Sequence, residues 1–362
     1  MKEDNYSRIT EVWLTGIDHL QSTRIVLFIF FLIMYVMILT GNLLIISVIT
    51  SEHCLHSPMY IFLCSLSLSE VLFTTNLIPK FLHVLWENGA AIHLGNCLAQ
   101  FYLCGSLGAT ECLLFASMSY DRYLAICKPL HYCSVMSFAF CVKLVLFSWA
   151  WAFTSMSITL IMVAQLQFCG PKIIDHYFCD FAPILELSCS DTYAVEIETF
   201  MFTSSVALLP FLFVIATYIC IITTILNIPS STGRWKTFST CSSHLATVCT
   251  YYGTLISLYA IPTHTFSSTV SKTLSLIYTV VTPMFNPIIY SLRNKNIKLG
   301  VQKSLHKLLV LSKSCCPKSN YQTFNSAPNP KGSFTQLLAP ICINHLRLSR
   351  FMDHQNLMYS RV

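Results

Sequence analysis

Seven separate stretches of this chain are apolar over a length sufficient to cross a lipid bilayer, and that feature alone excludes most folds. They run Ile25 to Thr50, Pro58 to Pro79, Cys97 to Tyr120, Leu144 to Leu166, Thr199 to Leu226, Phe238 to Ile261 and Thr273 to Leu292. A helix needs about 20 mostly apolar residues to span the hydrocarbon. The stretches must be helical, because an unpaired backbone group in hydrocarbon is strongly unfavourable. Composition agrees: 54% of residues are hydrophobic and 10% charged, against about 25% charged in a soluble domain. The net charge of +6 is spread along the chain, so no nucleic-acid partner is indicated. The 24 residues before the first stretch are polar and lack a basic, apolar and small-residue cleavage pattern, so the first span itself is expected to act as targeting signal. The expected fold class is an all-α membrane protein. A seven-transmembrane helix bundle over residues 25–292 follows an extracellular tail over residues 1–24.

An odd number of spans puts the two ends on opposite sides, and basic residues choose which is which. With the N-terminus outside, the inner segments hold Arg122, Lys128, Lys143, Arg234, Lys236, Arg293, Lys295, Lys298, Lys303 and Lys307. The outer segments hold only Lys2, Arg8, Arg24, Lys80, Lys172 and Lys272. The orientation is therefore N-outside and C-inside, and the sequon Asn5-Tyr6-Ser7 falls on the outer side as a glycosylation acceptor. Four of 17 cysteines sit at that side: Cys97, Cys169, Cys179 and Cys189. Four allow three pairings, and a bridge from Cys97 to the long outer loop would pin that loop over the bundle.

Four blocks lie in order at the inner ends of spans two, three, six and seven. They are "LHSPMY" (Leu55 to Tyr60), "MSYDRYLAICKPLHY" (Met118 to Tyr132), "KTFSTCSSHL" (Lys236 to Leu245) and "PMFNPIIYSLRN" (Pro283 to Asn294). With these blocks in these slots, from about Asn5 to Leu309, the chain resembles an odorant receptor of the rhodopsin-like G-protein-coupled class. A lone Arg122 also fits a snorkelling interfacial arginine, but the run Ala125 to Tyr132 behind it favours the resemblance. What the resemblance implies is a switch. Arg122 of Asp121-Arg122-Tyr123 is held near the acid at rest and meets the G protein when active. Asn286 and Pro287 form a hinge from which Tyr290 swings toward Tyr218 and Arg122. His244 belongs to the hydrogen-bond lock of the resting state. The pairing expected in this frame is Cys97 with Cys179 and Cys169 with Cys189.

The ligand pocket is then expected between the outer halves of spans three, five, six and seven. Cys104, Gly105, Gly108, Ala109 and Cys112 follow helical spacing on the third. By position in the family motifs, Phe202, Ser205 and Val206 face them from the fifth, Tyr252, Leu255 and Tyr259 from the sixth, and Leu276 and Thr279 from the seventh. Each position also fits plain helix packing. Cys104 stands where aminergic relatives carry aspartate, so a small, neutral, mostly apolar volatile molecule is the expected ligand. The expected transducer is a heterotrimeric G protein of the stimulatory olfactory type, at the plasma membrane.

Glu70 and Glu111 are the only acidic residues inside the spans. The resemblance places them face to face, and two such carboxylates cannot both stay charged unpaired in a low dielectric. A Na⁺ or a shared proton among Glu70, Glu111 and Asn286 is expected, with a protonated Glu111 bonded to backbone as the alternative; no other cofactor is implied. Residues 293–312 read as an amphipathic helix on the inner leaflet, and 313–362 as a disordered tail in which Cys315 and Cys316 are candidates for palmitoylation. Glu70 in place of the usual aspartate, Trp235 in place of a basic residue, and Ala260-Ile261-Pro262 without its basic neighbour depart from the family pattern. A transporter would also carry polar residues in its spans, but no internal repeat accompanies them here. A receptor for a non-odorant small ligand remains the alternative. No constellation of an enzyme is present in the sequence.

Overall fold

The computed structural model describes residues 9–17, 23–51, 57–259, 268–293, 297, 299, 300 and 302. The expected amphipathic helix of 293–312 lies largely outside the described residues. Asn5, Cys315, Cys316 and the tail of 313–362 lie wholly outside them.

Among the described residues the chain is helical over nearly all of each apolar stretch. In order come α1 (Arg24–Ser51), α2 (Pro58–Glu87), α3 (Leu94–Cys127), α4 (Pro129–Val135), α5 (Phe138–Ala164), α6 (Phe181–Leu185), α7 (Tyr193–Thr203), α8 (Leu209–Leu226), α9 (Ser231–Tyr259), α10 (Ser268–Leu276) and α11 (Thr282–Arg293). One π-helical turn, Ser204–Leu208, joins α7 to α8, and another, Ile277–Val281, joins α10 to α11. The long helices overrun the apolar stretches because a helix continues past the hydrocarbon wherever its ends can be capped. Ser137 accepts the amide of Phe140 at the start of α5, and His93 accepts that of Gly95 at the start of α3.

Among the described residues, five helical rods are long and apolar enough to cross a membrane: α1, α2, α3, α5 and the continuous Tyr193–Leu226. The sixth and seventh expected spans are also helical. Their apolar runs are interrupted by Ser239, Ser242, His244 and Thr247 in α9 and by Lys272, Thr273 and Ser275 in α10. Large apolar side chains face outward along the bundle, including Ile25, Val26 and Ile33 on α1, Leu146 and Ile161 on α5, and Leu209 and Leu212 on α8. Water would not tolerate so much contiguous apolar surface, whereas lipid is its natural solvent.

The rods close into a ring. α1 packs on α2 and α11, α5 on α2 and α7, and α9 on α8 and α11, while α3 touches α2, α5, α8 and α9 and runs through the middle. At about 1.5 Å per residue its 34 residues span roughly 50 Å, so one helix links the two ends of the bundle. Gly41 on α1 lets Pro287 of α11 come close: a Cβ there would lie 3.0 Å from the proline ring.

One end of the bundle carries a small sheet. β1 (Glu11–Leu14) lies between β2 (Ala90–His93), to which it is antiparallel, and β3 (Ile173–Ile174), to which it is parallel. Val12 and Leu14 point into the core while Glu11 and Trp13 face out. The segment read from sequence simply as a polar tail thus contains a strand, one held by partners distant in the chain. Two disulfides complete this end: Cys97–Cys179, with Cα atoms 5.4 Å apart, and Cys169–Cys189, at 5.8 Å.

Candidate functional site

A cavity of about 340 Å³ opens between α3, α5, α7, α9 and the π turn before α11, beneath the sheet-bearing end. From α3 its wall takes Cys104, Gly105, Gly108, Ala109 and Cys112, the five positions read from helical spacing. Phe202 and Val206 line it from the α7 side, and Leu255 from α9. Four other positions expected there are placed differently. Ser205 turns its hydroxyl to the carbonyl of Phe202. Tyr252 packs on Phe211 and donates to the carbonyl of Cys112. Thr279 donates to Ser275 O and, with Leu276, stays off the wall. The side chain of Tyr259 lies outside the described residues.

In their place stand Tyr251 and Tyr278. The Tyr251 hydroxyl donates to Gly108 O across 2.7 Å. An added Cβ at Gly108 would come within 2.6 Å of the Tyr278 hydroxyl, so any larger residue would push that ring aside. Two buried aromatics with polar tips on adjacent helices are a recognisable signal of a lined cavity, but adjacent tyrosines at 251 and 252 differ by about 100° of helical rotation, which sequence does not set.

A larger groove of about 700 Å³ lies between α2, α3 and α5, with Leu72 and Leu103 exposed at its edge. Its polar members Thr75 and Asn76 face neighbouring groups: the Tyr35 hydroxyl donates to Thr75 Oγ1 and Asn76 Nδ2 to Gln100 O. It opens sideways, where lipid would lie.

The lid over the cavity is the loop after α5. Tyr177 descends from it onto Phe81, its hydroxyl 3.4 Å from that of Thr279. Asp175 ties three segments together by accepting from Thr15 Oγ1 at 2.7 Å and Lys272 Nζ at 2.6 Å. His176 beside it is buried between Tyr177 and Phe178. Burial, helped by the Lys272 cation and opposed by Asp175, pushes its imidazole down to about 3.

Halfway along α3, Glu111 is buried within electrostatic reach of Glu70 on α2. Asn286 donates its amide to Glu70 Oε1. Glu70 Oε2 and Glu111 Oε1 have no hydrogen-bond partner among the described residues. Two buried carboxylates with an oxygen each to spare suit a Na⁺ or a proton held between them.

At the far end of α3, Asp121 is fully buried and forms an ion pair with Arg122, whose Nε lies 2.9 Å from Asp121 Oδ2. Tyr132 on α4 donates to the other oxygen at 2.9 Å. Tyr123 is half-buried and stacks on Tyr120. The hydroxyl of Tyr218 on α8 and Nδ1 of His244 on α9 lie 2.7 Å apart with their rings stacked, so the two helices are bolted together near Arg122. Pro287 sits inside α11; the side chain of Tyr290 lies outside the described residues. Of the expected switch residues with described side chains, Asp121, Arg122, Tyr123, Tyr218 and His244 lie toward this end, while Asn286 sits at Glu70 midway along the bundle and Pro287 packs on Gly41 of α1.

Residues 31–308 match the profile of the family described as olfactory receptor. Human olfactory receptor 11L1 is 44% identical over 307 residues, covering 85% of this chain and 95% of that protein. Human olfactory receptor 6N1 is 41% identical over 312 residues, covering 86% and 100%. Rat olfactory receptor 287 is 43% identical over 292 residues, covering 81% and 94%.

Proposed function

The chain belongs to the olfactory receptor family, and on that premise we propose that it converts the binding of a small, mostly apolar volatile molecule into G-protein activation. It is thereby a multi-pass membrane receptor of the G-protein-coupled class and not an enzyme. In the proposed reading all seven rods span the plasma membrane, the sheet-bearing end faces outside, and a short amphipathic helix follows on the inner leaflet.

The observation that carries this reading is the continuity of α3. Its Cys104 to Cys112 face walls the cavity, and its other end carries the Asp121–Arg122 pair. A ligand that binds one arrangement of the bundle better than another shifts their populations by that difference in affinity. Tyr251 on α9 touches both the cavity and α3, so a ligand displacing it acts on the same helix that His244 bolts to Tyr218. Release of that bolt lets α9 move away, frees Arg122 from Asp121, and opens a cleft for the transducer, a heterotrimeric G protein of the stimulatory olfactory type. Pro287 and Asn286 supply the hinge from which Tyr290 follows.

Glu70, Glu111 and Asn286 would hold a Na⁺ or a shared proton between the two ends. Such an ion supplies the positive charge that two neighbouring buried carboxylates need, and so favours the resting arrangement in which they are close.

Cells expressing the receptor should raise cyclic AMP on exposure to members of a volatile panel. Arg122→Ala should abolish the rise while surface receptor remains measurable. Full signalling by the variant would overturn the assignment of Arg122.

A further inference from the structure

Two hollows on the outer wall of the bundle run into one another. The groove between α2, α3 and α5 shares Asn76 and Leu103 with a second hollow of about 370 Å³, which continues it toward the sheet-bearing end. The two halves differ in chemistry. The half away from the sheet is walled by Leu72, Leu107 and the stacked rings of Trp149 and Phe153, 5.7 Å between centroids. Trp149 Nε1 donates to Ser65 Oγ, which fixes that wall and takes up its one polar group. The half beside the sheet offers donors. Lys80 Nζ gives one of its three protons to Ala91 O at 2.9 Å, and no carboxylate lies in ion-pair range of it among the described residues. His93 accepts the Gly95 amide through Nδ1, so the neutral ring carries its proton on Nε2 and donates from there; Asn96 adds an exposed amide. No acidic residue lines either half among the described residues. The length is also telling: from Leu72 to Lys80 α2 rises about 12 Å, close to the hydrocarbon of one leaflet, about 15 Å.

We propose that this continuous groove binds one outer-leaflet phospholipid, its phosphate at Lys80, His93 and Asn96 and one acyl chain along Leu103 and the Trp149 and Phe153 rings. The inference rests on the membrane orientation of the receptor reading, with the sheet-bearing end outside. A phosphate accepts hydrogen bonds and carries negative charge, the complement of a lysine with protons to spare and no counter-charge. A sterol brings one hydroxyl and leaves that ammonium uncompensated. A hydrocarbon chain without a head group leaves the donor half unfilled. Leu72 and Leu103 are exposed and meet lipid in any case, so selectivity for the head group is what separates this site from ordinary lipid contact. The groove shares no lining residue with the ligand cavity, so both can be filled at once.

The test uses full-length receptor purified in detergent and photolabelled with one of three diazirine probes: a phosphatidylcholine labelled in one acyl chain, a diacylglycerol with the same chains, and a cholesterol analogue. Phosphatidylcholine should label the peptides carrying Leu72, Leu103 or Phe153 about tenfold more than diacylglycerol does. Lys80→Gln should cut that labelling about tenfold and leave labelling by diacylglycerol within about twofold. Ala150→Phe, which fills the mouth of the groove, is the second variant and should cut labelling by both. In the unaltered receptor, unlabelled phosphatidylcholine should compete where diacylglycerol does not, a result that stands even where a variant fails to fold. Equal labelling by phosphatidylcholine and diacylglycerol, stronger labelling by the sterol, or labelling unchanged in Lys80→Gln overturns the proposal. A receptor that answers the volatile panel but shows none of this selectivity loses this proposal alone. Selective labelling of a receptor silent towards that panel keeps the lipid site and overturns the receptor reading.

Discussion

The Tyr251 hydroxyl on α9 donates to Gly108 O on α3 across 2.7 Å, so the floor of the cavity and the joint between two helices are the same pair of atoms. Cys112 one turn along places its sulfur 3.7 Å from that hydroxyl, and the Tyr278 ring closes in over the missing Cβ of Gly108. A molecule entering here competes directly with a helix-to-helix bond.

Tyr251→Phe keeps the ring and removes that bond. One buried hydrogen bond contributes about 1 kcal/mol, equivalent to roughly a fivefold shift between two arrangements. Basal cyclic AMP per surface receptor should rise by about that factor. Unaltered basal signalling would show that the bond holds equally in both arrangements.

Tyr132→Phe acts at the other end. Asp121 then keeps Arg122 but loses its second partner, and hydrogen bonds to charged groups contribute about 1.5–3 kcal/mol. Basal signalling should again rise, and a fall would mean that Tyr132 serves the active arrangement.

The two disulfides should differ in weight. They close loops of 82 and 20 residues, and the chain-entropy relation gives about 4.5 and about 3.3 kcal/mol. Cys97→Ser should therefore lower the thermal midpoint of purified receptor further than Cys169→Ser. The reverse order would mean that strain or residual unfolded structure outweighs loop closure.

His176 makes the lid sensitive to acid. Its imidazole is pushed down from 6.5 to about 3 in the folded chain, so below about 6.5 the unfolded chain takes a proton that the folded one refuses. Stability should be unaffected by this group above that pH and fall as pH drops toward 3. His176→Gln, which does not titrate, should flatten that part of a melting-temperature profile; a profile unchanged by the substitution would place the acid sensitivity elsewhere.

Glu111→Gln tests the buried carboxylate pair. The variant has one charge fewer to neutralise and should lose sodium dependence of ligand affinity while changing basal signalling. If both stay as in the parent, the proposed ion or shared proton should be abandoned.

The helices were legible because long apolar runs admit few alternatives in lipid, and the α3 wall because an uninterrupted helix keeps its 3.6-residue register. The misplacements cluster where that register breaks. Ser205 lies within the π turn Ser204–Leu208, and Leu276 and Thr279 flank or enter the turn Ile277–Val281. A π turn inserts a residue and rotates whatever follows, so position in the family motifs pointed to Thr279 where Tyr278 faces the cavity. Tyr251 against Tyr252 failed for a related reason, since the rotation of α9 is set by packing on α3 and α8. The Tyr132 partner of Asp121 and the Asp175 tie to Thr15 and Lys272 are contacts across segments, invisible to any local pattern.

The middle position of β1 has a bearing on how the chain is made. Trp13 pairs with Ala91 on one side and Ile173 on the other, so the strand emerges from synthesis well before either neighbour and the second arrives only after α5. Pairings this far apart in sequence form late and slowly. Until they do, Val12 and Leu14 have no core to enter, so this end of the bundle closes only after most of the chain has been made.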